Sequence, residues 1–225
     1  MQRRNFILGG LAVLGLGGWT LNRMLAGPSA GLDMLPGAAN AQTTSGDIDT
    51  STIQDMVAGN PDAKVTVVEY ASFTCPHCAT FHTGPYKQLK ADYIDTGKIK
   101  FVYREVYFDR PGLWASMVAR CGGQERFFGI AELIYRGQSE WARAGEPAAI
   151  VEALRKIGRL AGLDNETLEA CLQDAQMAQT LVAWYDENAK RDDISSTPSF
   201  IIDGTKHSNM PYDEMKALIE KALSA

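Results

Sequence analysis

Phe73-Thr74-Cys75-Pro76-His77-Cys78 decides how this chain is read. The run Val65-Thr66-Val67-Val68-Glu69-Tyr70 precedes it and reads as a buried strand. Ala79 to Tyr93 follows, with apolar residues at helical spacing. Two cysteines, two residues apart, therefore stand where a strand ends and a helix begins. Cys75 falls at the helix N-terminus, among unpaired backbone N–H groups and the positive end of the dipole. That setting favours thiolate over thiol. Cys78 falls about one turn further in and is expected to be more covered. A reactive thiolate beside a protected thiol is what thiol–disulfide exchange needs.

The chain has 225 residues, which suits one domain with a generous core, or one domain with an inserted subdomain, plus an export segment. A net charge of −5 with no Lys/Arg cluster argues against a nucleic-acid footprint. Four cysteines occur, at 75, 78, 121 and 171, and only one C-x-x-C. A structural zinc site takes two such pairs, or one with two matched histidines. His82 is within reach of Cys75 and Cys78, but no fourth ligand has regular spacing. Neither a metal nor a cofactor is expected.

Met1-Gln2-Arg3-Arg4 is basic, and Phe6 to Leu21 is apolar, Gly-rich and uncharged. This reads as a secretory signal. Ala39-Asn40-Ala41 offers a small-x-small cleavage site, although its distance from Leu21 leaves an uncleaved anchor open. Arg3-Arg4 before Phe6-Ile7 resembles a twin-arginine export signal; an ordinary basic n-region reads equally well. Either way the mature chain is expected outside the cytoplasm, in a bacterial periplasm, where disulfides persist.

Residues 22 to about 50 read as a linker, and Ser51 to Val57 suits a short helix. Ile99 to Phe108 alternates and gives a second strand, so the order is β-α-β with a parallel crossover. Leu113–Cys121, Glu125–Arg136, Pro147–Leu160 and Glu166–Lys190 suit helices, with Asp164 or Asn165 as a cap. Ser199 to Ile202 returns to strand character. Asp203-Gly204 is a hairpin turn, Thr205 to Ser208 its partner strand, and Pro211 to Leu223 an amphipathic helix.

Val67 to Cys78, ending in Cys-Pro-His-Cys, and Ser196-Thr197-Pro198-Ser199-Phe200-Ile201-Ile202-Asp203-Gly204, about 120 residues further on, together with the terminal helix, resemble the DsbA family. The likeness covers roughly residues 52 to 224. It implies an α/β chain with a thioredoxin-like fold, β-α-β then β-β-α around a central sheet, carrying an inserted all-α subdomain. The expected parts are a signal peptide or anchor at 1–41, a linker and short helix at 42–60, and a first half at 61–108. The helical insertion follows at 109–193 and the second half at 194–225. The resemblance also implies a cis peptide at Thr197-Pro198 and a backbone there that takes an extended substrate by β-augmentation.

Cys75 is the expected nucleophile. A helix N-terminus alone lowers a thiol pKa by about one unit from about 8.5. Pro76 holds the turn at no hydrogen-bond cost, and His77 offers positive charge or a donor near the sulfur. Cys78 recloses the disulfide. By resemblance Glu69 relays a proton to or from Cys78; the alternative is a charge at the exposed end of a strand. In an oxidising compartment Cys121 and Cys171 are expected to pair, the alternative being two buried free thiols. His82 reads as a helix-surface or packing residue, His207 as solvated, and Phe127-Phe128 and Trp141 as core.

The expected activity is that of an exported thiol:disulfide oxidoreductase that introduces disulfides into secreted proteins. The alternatives are a reductase or isomerase of the same fold, or a peptide-binding holdase. Its partners are cysteine-containing secreted polypeptides and, by resemblance, a DsbB-like membrane reoxidant linked to quinone. A monomer is expected, with no nucleic acid.

Overall fold

The computed structural model describes residues 48–225. The expected export segment and its cleavage site lie outside them. Strand β1 (Met56–Gly59) comes first, then β2 (Val65–Ala71). Helices α1 (Pro76–Thr83) and α2 (Pro85–Leu89) follow, the second running into a π turn at Lys90–Ile94. Strand β3 (Ile99–Glu105) completes the crossover. Six helices come next: α3 (Arg110–Cys121), α4 (Gly123–Arg136), α5 (Gln138–Trp141), α6 (Pro147–Leu160), α7 (Asn165–Gln173) and α8 (Ala175–Arg191). The chain closes with β4 (Ser199–Ile202), β5 (Thr205–Ser208) and α9 (Tyr212–Ser224).

The five strands form one sheet in the order β1-β3-β2-β4-β5. β2 and β3 run parallel, from Val65 beside Ile99 to Ala71 beside Glu105. β4 lies antiparallel on the other side of β2, with Glu69 opposite Phe200. β2 is thus central, and Val65, Val67, Tyr70 and Ala71 are fully buried. Its near-continuous apolar run is what a strand covered on both faces needs. Asp203 and Gly204 both take positive φ, 46° and 78°, as a two-residue hairpin turn requires. Met215 and Ile219 bury the apolar side of α9 against α2 and the β2–β4 region.

Three expectations are corrected. Residues 51–57 do not form a helix. Met56–Gly59 is an edge strand, antiparallel to β3 with Met56 opposite Tyr103. So short a segment takes its conformation from the partner it pairs with, not from its own propensity. Gly59 ends it at φ 84°, where a Cβ would come 2.5 Å from the Ile99 carbonyl. The helix expected over Ala79–Tyr93 breaks at Gly84-Pro85. Pro85 has no N–H, and its ring would clash with the carbonyl four residues back. The helix expected over Glu166–Lys190 is two helices. Asp174 caps α8 by accepting from Met177 N at 2.8 Å, and so starts a new helix inside the pattern.

Candidate active site

Cys75 is the N-cap residue of α1, with extended backbone angles, and Pro76 opens the helix. Pro76 and His77 are exposed, Cys75 is half-buried and Cys78 is wholly buried. Both cysteines are free thiols. The surroundings of the two sulfurs push them in opposite directions. The Cys78 thiol hydrogen-bonds to the Cys75 sulfur, and this chiefly lowers the Cys75 pKa, to about 5, against partial burial. The backbone N–H groups of Cys78 and His77 contribute further. Cys78 is driven up, first by burial, then by its bond to Cys75 and by the charge of Glu69. One sulfur is a thiolate at neutral pH and its neighbour a shielded thiol.

Thr197 and Pro198 come from the loop before β4. The Thr197–Pro198 peptide is cis, and Cys75 Sγ lies 3.4 Å from the Thr197 carbonyl oxygen. Thr197 Oγ1 is buried with no partner. So β2, α1 and the start of β4 converge on one sulfur. Beside it, His77, Thr80, Phe81, Pro85, Met210 and Pro211 line a shallow cleft.

The segment that carries Cys75 is held from the helical region. Gln138 Nε2 on α5 donates to Phe73 O at 2.7 Å and to Cys75 O at 2.9 Å. Thr74 Oγ1 donates to Asp109 Oδ2 at 2.8 Å, while Asp109 Oδ1 accepts from Gly112 N at 2.8 Å and caps α3. Neither Gln138 nor Asp109 stood out in the sequence. Their partners lie far off along the chain, and no local pattern announces them.

Glu69 is 0% exposed, in the interior of the sheet and not at a strand end. Its partner is His82, whose Nε2 lies 2.9 Å from Glu69 Oε2. His82 is not a helix-surface residue: it is buried among aromatic rings and paired with Glu69. Its ring is 4% exposed and stacks on Tyr135 at 4.2 Å between centroids. The signal was its spacing: four residues after Cys78, it projects from the same side of α1. His207 is half-buried, and Phe127 and Trp141 are core. Cys121 and Cys171 are disulfide-bonded, with Cα atoms 5.9 Å apart, and tie the end of α3 to α7.

The family model described as Thioredoxin matches residues 51–221. The chain belongs to the thioredoxin family, in its DsbA branch. It is 38% identical over 170 residues to a Rickettsia bellii protein provisionally named a protein-disulfide oxidoreductase. That match takes in 75% of this chain and 64% of the relative, so the chain spans less than two thirds of that protein's length. Disulfide bond formation protein D of Bacillus subtilis is 30% identical over 179 residues, 74% of this chain and 76% of that protein. Among solved structures, alpha-DsbA1 of Wolbachia pipientis superposes with a TM-score of 0.70 at 27% identity, covering 76% of this chain and 92% of that one. Among the described residues no helix is long and apolar enough to cross a membrane.

Proposed function

We propose that the protein is an exported thiol:disulfide oxidoreductase that donates disulfides to cysteine-containing secreted polypeptides. One observation carries the direction of the reaction: the opposed displacement of the two thiols. A thiolate stabilised at Cys75 stabilises the reduced protein, and so makes the disulfide the stronger oxidant. A Cys75 pKa of about 5 falls between the values of about 7 for thioredoxin and about 3.5 for DsbA.

The cycle starts from the Cys75–Cys78 disulfide. A substrate thiolate attacks the accessible sulfur of Cys75, the Cys75–Cys78 bond breaks, and Cys78 leaves. A second substrate thiolate attacks the mixed disulfide, so the substrate departs oxidised and Cys75 departs as thiolate. Pro76 and His77 shape the turn that exposes Cys75, and Glu69 moves the proton of Cys78. Thr197 and Pro198 present backbone to an extended substrate, as an added strand would be. Cys121–Cys171 staples the helical insertion, residues 109–193. The 1–41 segment directs export to the periplasm and 42–60 links it to the folded part. A DsbB-like, quinone-linked membrane protein reoxidises the pair, and the protein works as a monomer.

The test is the equilibrium reduction potential of Cys75–Cys78 against glutathione. The expected value lies between about −180 and −120 mV. A value near −270 mV, typical of a reductant, would reverse the direction and favour the reductase or isomerase.

A further inference from the structure

Beneath Cys78 the core holds two groups that packing does not require. Glu69 has no exposed surface and leaves Oε1 without a partner; burying a carboxylate this way is costly unless its charge is used. His82, bonded to Glu69 Oε2, keeps the pair's small remaining exposure. Cys78 and His82 project from one side of α1 toward β2, where Glu69 stands. Other ionisable groups facing His82 are phenols: Tyr135 on α4 at 4.2 Å, Tyr86 on α2 at 4.7 Å and Tyr103 on β3 at 5.7 Å between ring centroids. Burial holds all three protonated. Among the described residues, none of the rings stacked around His82 is basic. The groups placed to pass a proton through this site are therefore Cys78, Glu69 and His82.

We propose that His82 completes a proton route from Cys78 through Glu69, and is the member of the pair that passes the proton to solvent. The inference rests on the reading that Cys75 and Cys78 exchange disulfides. When a substrate thiolate attacks Cys75, the Cys75–Cys78 bond breaks and Cys78 leaves as thiolate into a dry site. The proton held by the Glu69–His82 pair moves to that sulfur. In reoxidation the flow reverses. Cys78 gives its proton to the pair, and its thiolate attacks Cys75 in a mixed disulfide. The Cys75–Cys78 bond forms, the partner leaves as thiolate, and His82 releases the proton to water. Without an acceptor at hand, a buried thiol reaches the thiolate state only slowly.

Reduced protein mixed with oxidised glutathione, quenched in acid and read by mass spectrometry, separates attack by Cys75 from closure by Cys78. In His82→Gln the amide still donates to Glu69 but cannot take up and release a proton. The expected result is an unchanged attack rate and closure slowed by about 10²-fold or more. Mixed disulfide accumulates, and closure in the variant keeps rising with hydroxide where the wild type levels off. Closure in His82→Gln that matches the wild type across the pH profile overturns the route and leaves disulfide exchange standing. A wild type that forms no mixed disulfide overturns both. Should His82→Gln fail to fold, the wild type decides. Closure slowed in heavy water more than attack supports the route, and equal slowing of the two steps overturns it.

Discussion

Gln138 Nε2 lies 2.9 Å from the carbonyl oxygen of Cys75, a bond across 63 residues of chain. The same nitrogen serves Phe73 O at 2.7 Å. The helical region thus reaches back to fix the backbone that presents the Cys75 sulfur. Cys75 O also accepts from Ala79 N within the helix, whereas Gln138 is the donor found for Phe73 O. Gln138→Leu keeps the volume and removes the donor, leaving a buried carbonyl unpaired at a cost of about 1–3 kcal/mol. Urea unfolding of the oxidised protein measures it. An unchanged midpoint would show that the loop holds its place without Gln138.

The stability of the reduced protein depends on pH through Cys75. Its folded pKa of about 5 lies below the ordinary thiol value of about 8.5. The folded state therefore binds fewer protons than the unfolded chain between those limits, and stability rises with pH across that window. The contribution is complete above about 8.5 and is lost as pH falls through about 5. Cys78 is displaced the other way, so it erodes stability only above the ordinary thiol range. The oxidised protein has neither thiol. Unfolding of both forms at several pH values should show the reduced form gaining on the oxidised form from acid to mildly alkaline pH. A constant gap between them contradicts the assignment.

The Cys121–Cys171 bridge closes a separation of 50 residues. In the chain-entropy account a loop of that length is worth about 4 kcal/mol. Replacing both cysteines by alanine should lower the unfolding free energy by roughly that amount, and leave the Cys75–Cys78 potential unmoved. A potential that shifts with the double variant would show that the two disulfides communicate.

The parts of this molecule legible in its sequence are those whose cause is local. The apolar run of β2 and the turn signal at Asp203-Gly204 carry their structures in neighbouring residues. So does Pro147 at the start of α6. Asp174 inside a helical pattern and Pro85 inside another were also local signals, and both mark breaks that periodicity alone overlooks. The strand at Met56–Gly59 was not legible, because four residues have no preference strong enough to compete with an open edge of β3.

The two sulfurs show the same division. Sequence by itself places Cys75 at a helix start after a buried strand and Cys78 one turn in, since strand, turn and helix are adjacent along the chain. It points to an activated thiol because a helix N-terminus is electropositive wherever it occurs. How far each thiol is displaced was decided by tertiary structure. Thr197 meets Cys75 from 122 residues away. Glu69 and His82 become a pair only when β2 and α1 pack against each other and exclude water. Charge and desolvation act through space and depend on the local dielectric, so they exist only once the fold has brought distant residues together and dried the space between them.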